Sequence, residues 1–219
     1  MRARELVAAA LFALGPGLLV AAGALAASTD PAAPAPAAST AAAAPVAAIL
    51  YDLDPVHSFV HFEVRHFGTS TLRGRFGPVV GTVELDREAR RGRVAVRIAT
   101  GTVDTGIGVF NARLREADLL ATEGYPEAFF VAERLRFDER GALAEVRGEF
   151  TWRGVGQPLS LHARLFGCRI DESIGREICG GEFKAEFKRS EFGATFGLPL
   201  IGDTVRLRIQ VEGLRRAAP

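Results

Sequence analysis

Cysteine is scarce in this chain, with two in 219 residues, so a disulfide-dense mini-protein and a zinc site of four thiolates are excluded. An excess of one charge is also missing: 27 basic residues against 26 acidic ones leave a net charge of +1. Because no large field of one sign exists, we expect no nucleic-acid partner.

Catalytic and metal-binding motifs are equally sparse. The nucleophile motif Gly-x-Ser-x-Gly is absent, and the glycine-rich Gly101–Gly108 segment lacks the Gly-Lys-Ser/Thr ending of a phosphate loop. His57 and His61 share a strand face, but four residues of strand put their Cα atoms about 13 Å apart. We therefore expect no metal, no cofactor and no catalytic residue, and predict that the protein is not an enzyme.

The first 26 residues have the pattern of a secretory signal. Met1–Arg4 is positively charged, Leu6–Ala26 is apolar, and Ala24-Leu25-Ala26 offers the small side chains that a signal peptidase accepts. This predicts a signal peptide at residues 1–26 and a periplasmic or secreted protein. A retained N-terminal anchor is the alternative, because the apolar span is long enough to cross a bilayer.

Residues 27–48 are mostly Ala, Pro, Ser and Thr, with a single charged residue, Asp30. Such a composition buries too little surface to offset the entropy of ordering the chain, which predicts a flexible linker. Residues 49–219 then form one domain, long enough to bury a core without several disulfides.

Apolar and polar residues alternate with period two through this domain, which is typical of strands buried on one face. The clearest case is Val205, Leu207, Ile209 and Val211. Eight such segments predict an all-β fold, either a closed eight-stranded antiparallel barrel or a two-sheet sandwich. A water-soluble barrel with an apolar interior is favoured over an outer-membrane barrel, because two Tyr and one Trp cannot build aromatic girdles.

One stretch breaks the alternation. Leu114, Ala117 and Leu120 recur at close to helical spacing, which predicts a short helix over Asn111–Leu120, ended by Gly124 and Pro126.

The two cysteines, Cys168 and Cys179, bracket a turn between a strand ending at Phe166 and one beginning at Glu182. In an exported protein this arrangement predicts a structural disulfide. A redox-active pair, the alternative, usually has the spacing Cys-x-x-Cys.

Phenylalanine is over-represented, with fifteen residues. Each single ring is explained by a packed core, but together the rings would suit a tunnel for a long apolar chain. Composition alone does not separate a filled barrel from a hollow one.

Several motifs, in the same order, resemble those of the YceI-like family of exported bacterial proteins. They are Tyr51–Asp54, His57–Phe62, His66–Gly68, Gly74–Phe76, Val103–Thr105, Leu114–Phe130, Gly148–Val155 and Arg189–Gly193. Leu119-Leu120 departs from the family, which commonly has a Phe pair there.

The resemblance implies an extended, lipocalin-like eight-stranded barrel with a short helix, which holds an isoprenoid lipid or quinone and has no catalytic residues. On this basis we predict a barrel lining that binds the ligand and includes apolar residues from most strands: Phe62, Val64, Phe129, Val131, Phe150, Leu161, Phe183, Phe187, Leu207 and Ile209.

The function expected from this resemblance is an exported carrier of a polyprenol or isoprenoid quinone. Loading would involve a transient membrane contact, and a homodimer is left open. Two alternatives also remain open: a hydrolase or isomerase at the barrel mouth that uses His57, His61 and His66, and a ligand-free, stress-protective barrel.

Overall fold

The computed structural model describes residues 48–217. The predicted signal peptide at 1–26 and almost all of the predicted linker at 27–48 lie outside the described residues. Within 48–217, no helix has both the length and the apolar character needed to cross a bilayer. In chain order the elements are β1 Ile49–Leu53, β2 Phe59–His66, β3 Ser70–Phe76, β4 Val79–Asp86, β5 Arg91–Ala99, α1 Gly108–Arg115, β6 Glu127–Phe137, β7 Leu143–Trp152, β8 Val155–Asp171, β9 Arg176–Lys188 and β10 Ile201–Arg215.

The sheet closes on itself as an antiparallel ring in the order β1-β4-β5-β6-β7-β8-β9-β10, with β10 paired back to β1. β10 pairs with β2 from Ile201 to Gln210 and with β1 from Gly213 to Arg215, so β1 and β2 share one position of the barrel. β3 and β4 share the next position in the same way, since they pair with β2 and β1 respectively. The predicted eight-stranded antiparallel barrel is therefore confirmed.

The two shared positions are interrupted at prolines. Pro55 lies between β1 and β2, and Pro78 lies between β3 and β4. Proline has no N–H to donate to a strand ladder, so pairing stops at these points and resumes beyond them. The Asp54 carboxylate accepts the Val56 N–H at 2.9 Å, which satisfies part of the backbone in the first break.

The two ends of the barrel differ, and we name them by their contents. The disulfide end carries the turns at 87–90, 138–142 and 172–175, together with the start of β1 and the end of β10. The helix end carries the turns at 67–69 and 153–154 and two long connections, 100–126 with α1 and 189–200.

The helix differs from the sequence prediction, because α1 spans Gly108–Arg115 rather than Asn111–Leu120. The Asn111 side chain accepts the Thr105 N–H at 2.8 Å and ties the preceding loop to α1, which places the helix start before Asn111. After Arg115 the chain continues in irregular turns, in which the Leu120 N–H donates to the Leu114 carbonyl.

The disulfide joins Cys168 to Cys179, as the cysteine spacing predicts, but the turn is shorter than expected. β8 and β9 continue past the cysteines, which face each other directly in the ladder with Cα atoms 4.1 Å apart. The chain reverses only at 172–175, where Gly175 has a φ of +64° that favours glycine.

Most charged side chains are exposed, but three carboxylates are buried: those of Asp86, Glu145 and Glu177. Glu145 on β7 is 2% exposed and accepts the Arg147 Nε–H at 2.8 Å and the Arg136 Nε–H at 3.0 Å. These hydrogen bonds, first of all that from Arg147, lower the pKa of Glu145 from 4.5 to about 2.

This carboxylate makes the barrel sensitive to acid. Because its pKa is lower in the folded state, Glu145 stabilises the fold above about pH 4.5, and this contribution is lost as the pH falls toward 2. We expect Glu145→Gln to flatten the decline in stability between pH 5 and 3 in denaturant titrations, since the amide does not titrate. Glu149→Gln, at an exposed position of the same strand, is the control; equal acid slopes in Glu145→Gln and the parent would contradict the assignment.

Candidate functional site: an apolar channel through the barrel

The barrel interior contains two adjoining chambers. The chamber toward the disulfide end has about 1030 Å³ free of protein atoms, and the chamber toward the helix end about 800 Å³, each counting solvent at its opening. Both chambers are lined by the same four residues where they meet: Val60, Ile98, Phe150 and Leu207. The interior therefore holds two chambers that meet end to end at these four side chains, and we call the two chambers together the channel.

Eight of the ten residues predicted to line the barrel lie on the channel wall. Phe62, Val64 and Phe187 line the chamber at the helix end. Leu161, Phe183 and Ile209 line the chamber at the disulfide end, and Phe150 and Leu207 line both.

The lining prediction is wrong for the other two residues, Phe129 and Val131. They lie on the outer face of β6, where they are 41% and 49% exposed. The inward positions of this strand are Ala128, Phe130 and Ala132, all buried. Because successive strand residues face opposite sides, choosing the wrong member of the Phe129-Phe130 pair reverses every assignment along the strand.

Among the lining residues that the sequence prediction missed are three from the α1 segment, which lies outside the strands and which we define as residues 105–121. Leu114, Leu119 and Leu120 line the chamber at the helix end and close it on the solvent side. The spacing of Leu114 and Leu120 signals a buried face, but it does not indicate that this face covers a channel.

A compact aromatic cluster adjoins the same chamber. Phe150, Trp152, Phe187 and Phe192 contact one another with ring centroids 5.3–6.0 Å apart. These tilted and edge-to-face contacts hold the rings in fixed positions, so the chamber wall is formed by rigid apolar surfaces.

The few polar side chains on the channel wall form hydrogen bonds with other groups of the protein. The Thr100 hydroxyl donates to the Tyr125 carbonyl at 2.8 Å. The buried Arg189 guanidinium donates to the carbonyls of Ala194, Ile201 and Gly202, and burial lowers its pKa.

Tyr51, which lines the chamber at the disulfide end, also has its polar group hydrogen-bonded within the protein. Its hydroxyl donates to the Glu177 carboxylate at 2.9 Å, and burial is the main cause that raises the pKa of Tyr51 to about 12. Throughout residues 48–217, no buried side-chain nitrogen or oxygen lacks a hydrogen-bond partner. A polar head group placed in the channel would therefore lose its hydrogen bonds to water without replacement, whereas an apolar chain would not.

Arg153 holds the α1 segment over the channel. From the β7–β8 turn its guanidinium donates to the carbonyls of Ala117 at 2.8 Å and Leu119 at 2.6 Å. Its Nε–H donates to the Phe192 carbonyl at 3.0 Å, which joins the β9–β10 connection to the same clamp.

The histidines lie away from the channel lining. The exposed His57 ring bonds the Asp54 carboxylate at 2.6 Å, which raises the pKa of His57, and His61 is exposed on the outer face of β2. Within residues 48–217, the grouping of possible metal ligands is Cys168, Glu177 and Cys179. Its two sulfur atoms are bonded to each other, and Glu177 accepts hydrogen bonds from Tyr51 and Arg87.

Comparison with known proteins identifies the family. The model of the YceI-like domain family matches residues 51–213. The chain belongs to the YceI-like family.

Curated relatives agree with this assignment. Protein YceI of Escherichia coli O157:H7 is 33% identical over 166 residues, which cover 75% of this chain and 85% of the relative. Protein YceI of Salmonella arizonae is 31% identical over the same shares of the two chains.

Solved structures of low sequence identity share the fold. Burkholderia cenocepacia BcnA aligns with a TM-score of 0.59 at 19% identity, covering 74% of this chain and 99% of BcnA. A polyisoprenoid-binding domain from Saccharophagus degradans, implicated in plant cell wall breakdown, aligns with a TM-score of 0.55 at 19% identity, covering 77% and 99% of the two chains.

Proposed function

We propose that this YceI-like protein is an exported carrier that holds a long isoprenoid lipid, a polyprenol or an isoprenoid quinone, in its channel. The observation that carries the proposal is the elongated shape of a channel whose polar side chains are already bonded to other protein groups. The S. degradans neighbour supports it, since that domain is described as polyisoprenoid-binding. The predicted signal peptide supports export to the periplasm or the medium.

Binding would be driven by burial of the chain. Each Å² of apolar ligand surface removed from water contributes about 25 cal/mol, offset by the entropy lost when the ligand is immobilised. A preformed, rigid wall lowers the cost of ordering the protein. The polar head group would remain near an opening, because the wall offers it no free hydrogen-bonding partner.

Extraction of the bound ligand tests this proposal. We expect the protein purified from a lipid-containing bacterial host to release an isoprenoid lipid into organic solvent, and native mass spectrometry to show a matching mass difference. The stripped protein should take up a defined polyprenol or quinone at one molecule per chain. A protein that carries no lipid and takes up neither compound would refute the proposal and favour a ligand-free protective barrel.

We propose a binding role rather than catalysis. His57, His61 and His66, the candidates for a barrel-mouth enzyme, are absent from the lining of both chambers. A ligand in the channel would therefore contact apolar carbon atoms rather than a general base.

A further inference from the structure

Large apolar side chains are exposed together at the helix end. Val109 and Leu200 are 73% and 61% exposed. Single exposed apolar side chains are common, so what counts here is that several lie at one end. We name as the helix-end rim six exposed residues of this end: Phe67, Ile107, Val109, Phe110, Phe196 and Leu200.

The three parts of the rim are connected. The Phe67 N–H donates to the Leu200 carbonyl at 2.8 Å, which joins the β2–β3 turn to the β9–β10 connection. The Phe196 ring of that connection lies 4.1 Å below the Arg113 guanidinium of α1. The rim is therefore one surface built from three segments rather than scattered single residues.

The α1 segment carries part of the rim on its outer side and part of the channel wall on its inner side. Leu114, Leu119 and Leu120 face the chamber, whereas Val109 and Phe110 on the same segment are exposed. No residue of α1 is fully buried, and Ile107, which immediately precedes the helix, makes no capping side-chain hydrogen bond. The segment is held by hydrogen bonds at Asn111, Arg115 and Arg153 rather than by fully buried α1 side chains, so it opens at lower cost than the barrel strands.

The charges of the α1 segment cancel. Arg113 bonds both carboxylate oxygens of Asp118 at 2.7 Å and also reaches Glu116, so its charge is neutralised locally. Arg115 donates to the backbone carbonyls of Gly101 and Val103. An apolar surface with balanced charge fits an uncharged apolar partner better than an acidic or basic protein.

We propose that the helix-end rim docks onto the surface of a lipid bilayer, so that an isoprenoid chain passes between bilayer and channel beneath α1. This inference rests on the proposed function, because it names the surface through which the ligand enters. Apolar and aromatic side chains at the end of a lipid channel would enter the interfacial region of the bilayer. Passage of the chain then requires release of the Arg153 hydrogen bonds that hold Ala117 and Leu119.

Site-specific fluorescence locates the docking surface in the full chain. In a Trp152→Phe background, which removes the one native tryptophan, a probe is placed at the rim as Phe110→Trp. The matched control is Leu165→Trp, at a position 64% exposed on β8 and away from the rim. Vesicles of phosphatidylcholine with brominated acyl chains quench only those probes that enter the bilayer.

We expect the Phe110→Trp emission to shift to the blue and to be quenched roughly twofold or more, because interfacial side chains reach about 5–10 Å into the bilayer. The Leu165→Trp emission should stay unchanged. Equal quenching of both probes, or of neither, would overturn the docking surface. A blue shift that grows with protein concentration without vesicles would also overturn it, because a second copy of the chain would then cover the rim.

A transfer assay separates this inference from the proposed function. Val109→Ser/Phe110→Ser should slow uptake of polyprenol from phosphatidylcholine vesicles about tenfold, since two apolar contacts with the bilayer are lost. The amount bound at equilibrium should be unchanged, and Leu165→Ser should behave as the parent. Full binding with an unchanged rate would refute docking by the rim and leave the carrier function standing, whereas absence of binding in the parent would refute both.

Discussion

Replacement of Ile98 by tryptophan is expected to weaken binding of long isoprenoid chains by a factor on the order of 100. Ile98 lines both chambers, so a larger ring at this position divides the channel at its middle. A chain confined to one chamber would lose about 100 Å² of buried surface, worth about 2.5 kcal/mol at 25 cal/mol per Å². That loss of binding free energy corresponds to the stated change in Kd.

Ligand length provides the internal control for Ile98→Trp. A short isoprenoid alcohol that fits within one chamber should keep its affinity to within a few-fold, because one chamber remains open. Ala95→Trp adds the same ring to the exposed outer face of the same strand and should leave both ligands unaffected. Titration calorimetry with the stripped protein would measure these values, and unchanged long-chain affinity in Ile98→Trp would show that the ligand does not cross the middle of the channel.

Removal of the disulfide in Cys168→Ala/Cys179→Ala is expected to lower the free energy of unfolding by roughly 2–3 kcal/mol. The bond closes a short loop of the β8–β9 hairpin, with a sequence separation of 11, and restricts the unfolded chain accordingly. For a protein of this size the loss corresponds to a decrease in Tm of about 4–12 °C. The variant should still fold, since β8 and β9 remain paired on both sides of Cys168 and Cys179.

Calorimetry with and without reductant would test the role of this bond. Reduction of the parent protein should produce the same decrease in Tm as the alanine variant, and reductant should have no effect on the variant itself. A parent protein whose Tm is insensitive to reduction would contradict a stabilising disulfide.

The strand alternation was sufficient to predict an all-β fold, because a period of two directly reports which face is buried. The choice of a barrel over a two-sheet sandwich depended on the family resemblance. The alternation is clearest in β10, where Val205 and Leu207 are buried and Arg206 and Arg208 are exposed. The same signal fails for β3, because its inward positions include Gly74. A Cβ atom there would lie 2.6 Å from the Phe62 ring, so the glycine makes room for an aromatic side chain of the neighbouring strand.

The channel could be predicted only through the family resemblance. The residue pattern assigns Phe150 and Leu207 to the interior, but it does not show whether opposite walls touch or leave space between them. The cover provided by Leu119 and Leu120 depends on contacts with Arg153, which lies 34 residues from Leu119 in sequence. Such long-range contacts have no local signature, and the adjacent Phe129-Phe130 pair leaves even the strand face ambiguous.

Both ends of the described barrel chain emerge at the same pole. Tyr51 lies opposite Arg215 in the β1–β10 ladder, and the Arg216 N–H donates to the Leu50 carbonyl at 2.7 Å. Coupling the protein to a solid support through its C-terminus would therefore leave α1 facing the liquid, in a uniform orientation suited to surface-based ligand detection. Attachment by the opposite pole would require a circular permutation that opens the chain in a turn at the helix end, such as the exposed 67–69 turn.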